Sequence, residues 1–258
     1  MTTHGYSDAF APIYDQLWGG WAIQLAPRIR QFLESLPNAS QRRSLLDVCC
    51  GTGQLARHFL DNGYRVIGLD ASAAMLRQAA LNIQPYLDAG TARLVQGDAA
   101  CFTFDERVNI VVSTYDSLNH LPDLAALRSC FQSAWDILAD DGVLLFDLNT
   151  HHGMEGWRST AIEDSPELML ISRGQFDEAN GYASLHVTGF KLTPSGLYER
   201  FEETAHNTLF DLEQVRKLLV DDGWRHVYLA ATSDLTQPAA NPERERRIFF
   251  IASKPGVS

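Results

Sequence analysis

Two acids bracket a glycine turn in "SLLDVCCGTGQLARHFLDNGYRVIGLDAS": Asp47 stands just before it and Asp70 ends the strand that follows. Gly51 and Gly53 carry no side chains, so the backbone there can approach a ligand closely. "GTGQLA", Gly51 to Ala56, also fits the G-x-G-x-x-G/A fingerprint of dinucleotide binding, and on that spacing alone a nicotinamide-dependent oxidoreductase stays open. Asp47 argues the other way. It stands at the carboxyl end of a strand, where open parallel sheets take their ligands. A carboxylate within about 5 Å of a pyrophosphate costs on the order of 1 kcal/mol even in water. A positively charged ligand is drawn in instead.

Other groups with chemistry gather in two stretches. "STYDSLNHLPD" holds Thr114, Tyr115, Asp116, Asn119 and His120, and a histidine titrating near neutrality can take a proton from an attacking group. "YSDAFAPIYDQLWGGW" places Tyr6, Phe10, Tyr14 and Leu17 near helical spacing, with Trp18 and Trp21 following. Such a stripe is either a core face or a lid, and aromatic faces suit an onium cation. Cys49, Cys50, Cys101 and Cys130 show no C-x-x-C spacing, so they read as reduced thiols and no metal site is expected.

The elements that must position these groups alternate through the first 150 residues. "SLLDVC", "YRVIGLD", "ARLVQGD", "VNIVVST" and "VLLFDLNT" read as strands. Between them, "TGQLARHFLDNG", "SAAMLRQAALNI" (with Ser72 as N-cap) and "LAALRSCFQSAWDILADDG" read as helices. The last has an apolar stripe at Leu124, Leu127, Phe131, Trp135 and Leu138. This order predicts an α/β fold with a doubly wound, mostly parallel sheet. From 151 to 210 the helical period fades, and three strand-like runs separated by Asn180-Gly181 and Pro194-Ser195-Gly196 predict an antiparallel meander. Helix returns at "DLEQVRKLLVDDG", where Asp211 and Gln214 have capping-box spacing, and "WRHVYLAAT" and "RRIFFIAS" close the chain as strands.

"LLDVCCGTG", "GLDAS" and "QGDAA" together resemble the class I S-adenosylmethionine-dependent methyltransferases, whose pattern is D-x-G-x-G-x-G, an acid after the second strand and an aspartate after the third. The resemblance runs from residue 45 to the final hairpin and implies a Rossmann-like seven-stranded sheet and S-adenosylmethionine as cofactor. It implies that Asp47, Cys49, Gly51 and Gly53 pack against the methionine moiety and ribose, and that Asp70 accepts the ribose hydroxyls. Ala71 and Met75 would flank the adenine, with Asp98 and Ala99 holding its edge and Thr114 and Tyr115 lining the same cofactor site. One departure stands out: Cys49 replaces the family's first glycine, and a cysteine is expected to keep ordinary backbone angles.

The "IYD" segment resembles the N-terminal helix of small-molecule N-methyltransferases, including those acting on amino sugars and glycine. That resemblance gives Tyr14 a place at the methyl donor, where Trp21 is also expected; "NHL" resembles a recurrent feature of the loop after the fourth strand in class I enzymes, and Tyr14 and His120 are the expected catalytic residues. Residues 1–36 are then a helical lid, 37–150 with 211–258 the methyltransferase core, and 151–210 an insertion covering the acceptor site. Tyr6, Trp18, Asp116, Asn119 and Arg200 are the expected acceptor contacts. In "YERFEETAH", alternation puts Phe201 and Glu203 on one face and Arg200 and Glu202 on the other. The expected reaction is methyl transfer to a small-molecule amine, with oxygen acceptors and a nicotinamide-dependent oxidation as alternatives.

Composition narrows the partners. Hydrophobic residues at 45% and charged ones at 21% describe a globular chain able to bury a core. A net charge of −11 without a basic run repels nucleic acid and anionic membranes, so neither is an expected partner. "MTTHGYSDAF" shows no signal-peptide pattern, and a cytoplasmic monomer or homodimer is expected.

Overall fold

The aromatic N-terminal stretch leads into α1 (Ala11–Ser35), and the strand–helix alternation follows as its periodicity predicts. The computed structural model describes residues 6–256, so the first five residues of the expected lid and the last two of the expected core lie outside the described residues. β1 (Ser44–Val48), β2 (Arg65–Asp70), β3 (Ala92–Gln96) and β4 (Val108–Ser113) are linked by α2 (Gln54–Asp61) and α3 (Ala73–Asp88). After β4, α4 (Leu124–Ile137) leads to β5 (Leu138–Asn149). Ser72 caps α3 as expected, its hydroxyl accepting from the Met75 N–H. That helix outruns its expected end with a kink at Ile83, two residues before Pro85, whose ring cannot donate a helical hydrogen bond. Leu138 starts β5 rather than ending α4: it pairs with Val108, and an irregular register absorbs the acidic turn that follows.

The main sheet has the order β10-β11-β5-β4-β1-β2-β3. β1 to β5 run parallel, while β11 (Arg247–Ser253) is antiparallel to both β5 and β10 (Arg225–Ala231). The order reverses between β1 and β4, which opens a crevice above their carboxyl ends. One face of the sheet is covered by α4 and α6 (Leu212–Asp221), around Phe131, Phe146, Leu219 and Trp224. The other is covered by α1, α2 and α3, around Ile29, Leu45, Phe59 and Phe249. No helix among the described residues is long and apolar enough to cross a membrane.

Residues 151–210 open with a short α5 (His151–Glu155) and form a second, antiparallel sheet in the order β6-β7-β8-β9. The expected meander of three strands, β7 (Leu168–Asp177), β8 (Tyr182–Leu192) and β9 (Tyr198–Thr208), gains a fourth, β6 (Thr160–Asp164). Every residue of β6 is exposed, so no apolar alternation marks it in the sequence. The inner face of this sheet is set by Phe201. Its ring lies over Gly189, where a Cβ would approach Phe201 Cζ to 2.1 Å, and packs with Phe10, Leu168, Leu170 and Val187. A third core thus seals the start of α1 and α3 to the second sheet.

Candidate active site

The glycine turn between β1 and α2 is left-handed at three positions: Cys49 at φ +61°, Gly51 at +54° and Gly53 at +79°. The expectation of ordinary angles at Cys49 is therefore corrected, because the turn demands a conformation that glycine takes freely and cysteine takes at a cost. Asp70 fastens this turn to α3. Its Oδ2 accepts from the Gly51 N–H at 2.8 Å and its Oδ1 from the Ser72 N–H at 2.8 Å. Burial raises its pKa against the pull of those two N–H groups and of His120.

Asp47 is 2% exposed, and its Oδ2 has no hydrogen-bond partner. Burial, together with the charge of Asp70, pushes its pKa up to about 8, while the Ala56 N–H pulls it back. A buried carboxylate with an orphaned oxygen asks for a donor, and a cationic donor best of all.

Aromatic rings roof the turn. Tyr14 Cε1 lies 4.0 Å from where a Cβ on Gly51 would stand, so a side chain there would fill the space under the ring. Tyr6 and Tyr14 have centroids 5.7 Å apart, Tyr14 and Tyr115 6.5 Å, and Tyr14 and Trp18 5.8 Å. Burial, with Asp70 and Asp116 nearby, raises the pKa of Tyr6 and Tyr14, and burial with Asp116 takes Tyr115 up to about 12. All three phenols stay neutral at physiological pH. α1 is tied down beside them: Asp15 accepts from Gln54 Nε2 at 2.6 Å and Asn82 Nδ2 at 2.9 Å, and Asn82 also donates to the Thr52 carbonyl.

Past β4 the chain enters a second left-handed turn, Tyr115 at φ +66° and Asp116 at +52°. Asp147 of β5, wholly buried, holds it by accepting from the N–H groups of Tyr115 (3.0 Å) and Asp116 (2.6 Å). Arg247 joins Asp116 at 2.8 Å and Asp147 at 3.2 Å, and its guanidinium lies beside the stacked rings of Trp21 and Tyr115, 4.7 and 4.8 Å from their centroids. Asp116 Oδ2 takes Asn149 at 2.8 Å and Asn207 at 2.5 Å. Asn119 accepts from the Asn149 N–H and donates to the Thr208 carbonyl, which joins the loop to β9.

Of the residues expected from the sequence, Tyr6, Tyr14, Trp18, Trp21, Asp47, Cys49, Gly51, Gly53, Asp70 and Tyr115 gather at this crevice. Thr114 is buried just before the second turn, its carbonyl accepting from Ser117. His120 is exposed, and close enough that its charge favours ionised Asp70. Ala71 is exposed and Ala99 half-buried, and Asp98 is an exposed side chain whose Oδ1 accepts from the Ala100 N–H. Four expectations need correction. Met75, 1% exposed, is enclosed in the α1–α3 seam and shows the crevice almost no surface. Asp116 and Asn119 spend their polar atoms on the chain itself rather than facing an acceptor. Arg200 lies on the outer face of β9, opposite Phe201, paired with Glu202. Asp147, Asn149, Asn207 and Arg247 were not among the expected residues. Only Asp147 carries a sequence signal, an acid near the end of an apolar strand, like Asp47.

A family model described as "Methyltransferase domain" matches residues 45–142. "Putative methyltransferase YqeM" of Bacillus subtilis (strain 168) is 29% identical over 253 residues, covering 95% of this chain and 96% of that one. The "dTDP-3-amino-3,6-dideoxy-alpha-D-glucopyranose N,N-dimethyltransferase" of Streptomyces fradiae is 30% identical over 149 residues, 55% of this chain and 54% of that one. Among solved structures, an S-adenosylmethionine-dependent methyltransferase from Clostridium acetobutylicum ATCC 824 superposes with a TM-score of 0.76 at 19% identity, over 96% of this chain and 98% of the other, a likeness of fold. The nicotinamide alternative falls with the domain match. The chain thus carries a methyltransferase domain on the fold of an S-adenosylmethionine-dependent methyltransferase, with acids at its strand ends.

Proposed function

We propose that this chain methylates the amine nitrogen of a small-molecule acceptor. The observation that carries the reading is the crevice's charge. Its walls are carboxylates and neutral phenols, and Arg247, the arginine beside it, is committed to Asp116 and Asp147. Such a site suits a cationic donor and an acceptor that arrives as an ammonium ion. The printed name of the Streptomyces fradiae relative, an amino-sugar N,N-dimethyltransferase, agrees with a nitrogen acceptor.

When bound, S-adenosylmethionine supplies a methyl group on a sulfonium that leaves as a neutral thioether. The chain's residues do the rest. Asp47 Oδ2 takes the ammonium of the methionine moiety, and Gly51 and Gly53 leave the backbone bare for it. Asp70 keeps lone pairs free beside its two backbone bonds for the ribose hydroxyls. Asp98 and the Ala99 N–H hold the adenine edge. Tyr6, Tyr14 and Tyr115 would line the space for the reacting carbon and exclude water, so that alignment would do most of the work, for which about 7–11 kcal/mol is available. α1, with residues 6–10 before it, and the second sheet form the lid over the acceptor. His120, at the rim beside Asp70, receives the proton that the amine must lose before its lone pair attacks.

A panel of small amines and hydroxy compounds, incubated with the chain and S-adenosylmethionine and read by mass spectrometry, tests the reading. Amines are expected to gain one methylene per transfer. His120→Ala is expected to lower kcat about 100-fold near neutrality, the smaller end of general-base effects, and to shift the pH profile. Methylation confined to oxygen would overturn the amine reading, and an unchanged pH profile in the variant would remove His120 from the proton path.

A further inference from the structure

At the opposite edge of the main sheet lies a cavity of about 480 Å³, enclosed by the end of α1, the start of β5 and the open end of the β10–β11 hairpin. We propose that it binds a small anion with a flat apolar body, an aromatic or alkyl carboxylate or phosphate monoester. Its volume is that of an ordinary small-molecule pocket. Its apolar wall includes Phe32, Val143, Tyr228 and Ile251.

The charged lining runs against the chain's average. Arg42, Arg225 and His226 face the cavity with a single acid, Asp141, in a protein whose net charge is −11. None of the three forms an ion pair with another described residue. Lys254 also lines the cavity, but its ammonium is committed to the carbonyls of Trp135 (2.8 Å) and Leu138 (3.0 Å). Two guanidinium groups without carboxylates, beside an apolar wall, are the chemistry that recognises a carboxylate or phosphate on a hydrophobic body.

The backbone supplies a second, independent observation. Six described non-glycine residues take a positive φ. Cys49, Tyr115 and Asp116 sit at the crevice; the other three, Asn38, Asp141 and His226, all line this cavity. Left-handed non-glycine residues cost about 1–3 kcal/mol each and concentrate at ligand sites. His226, at φ +50°, falls where the β10–β11 register breaks between Arg225 and Tyr228, an irregularity of the kind that re-aims side chains.

The test uses the intact chain with its crevice first saturated by S-adenosylhomocysteine. Titration with 8-anilinonaphthalene-1-sulfonate, an aromatic anion that fluoresces when sheltered, is expected to show one saturable site. Arg42→Ala/Arg225→Ala is expected to weaken it at least about tenfold, the low end for losing charge-assisted bonds. The thermal midpoint of that variant should not move, because neither side chain is bonded to another described residue. Phenyl phosphate and benzoate are the competitors that distinguish a phosphate site from a carboxylate site. Undiminished dye binding in the double variant would overturn the proposal. So would equal affinity for the uncharged N-phenyl-1-naphthylamine, or a failure of both competitors to displace the dye.

Discussion

Asp47 and Asp70, at the ends of β1 and β2, and Asp116 and Asp147, on the β4–β5 side, are two pairs of sheltered carboxylates on one crevice. Only the second pair is ion-paired among the described residues. Arg247 bridges Asp116 and Asp147, and asparagine and backbone N–H groups take the remaining oxygens. The first pair has backbone N–H groups alone, and one oxygen of Asp47 has nothing. The β4–β5 corner is therefore complete as folded and serves as framework. The glycine-turn corner is short of positive charge, and a cationic ligand supplies what the chain withholds.

Removing the cation from the complete corner breaks the contrast most severely. Arg247→Met leaves two buried carboxylates facing each other, and the loss of one partner from a buried ionic cluster costs about 3–5 kcal/mol. Urea denaturation near neutral pH is expected to show that loss. It should shrink at low pH, where protonation relieves the stranded acids. A cost below about 1 kcal/mol would mean that the corner does not depend on its arginine.

At the incomplete corner the sign reverses, because Asp47→Asn keeps an acceptor for the Ala56 N–H and discards the charge. Asp47 is held at about 8 in the folded chain, above its usual 3.8, so its contribution to stability is full below the lower value and is lost as pH rises through the upper one. The ligand-free wild type should therefore lose stability between about pH 4 and pH 8, and the variant should lose less. Calorimetric titration should show the opposite order for S-adenosylmethionine. The wild type should bind more tightly as Asp47 ionises, while the variant binds about tenfold more weakly at pH 8 with little pH dependence, as loss of one charge-assisted bond predicts. Equal affinities would detach Asp47 from the cofactor.

The contrast between the corners also explains what could be read from the sequence. β1 to β5 and their helices follow from period and burial, which are local, and so do the glycine turn and the acids Asp47 and Asp70. The complete corner is assembled from residues about a hundred positions apart, Asp147 with Arg247, and no spacing announces such a meeting. The alternation in β9 correctly separates Phe201 from Arg200. Which face turns inward depends on Phe10 of the N-terminal segment, so Arg200 was assigned to the wrong side. β6 has no buried face and hence no pattern to read.

Cys49 is where local reading and tertiary demand collide, and it yields the smallest effect. Its φ of +61° is a glycine conformation imposed by a turn that Asp70 clamps at Gly51. Its side chain packs against the core beneath the sheet, and burial with nearby Asp70 keeps its thiol protonated. Comparing Cys49→Gly with wild type would mix relief of strain with lost packing. Cys49→Ala separates them, since alanine also loses the thiol but retains a Cβ in the left-handed region. The glycine variant is expected to be about 1 kcal/mol more stable than the alanine variant, a thermal shift of about 2–4 °C, after the backbone entropy of glycine has offset part of the strain. If alanine equals or exceeds glycine, the turn holds Cys49 without appreciable strain. The family's usual glycine would then serve cofactor approach rather than backbone geometry.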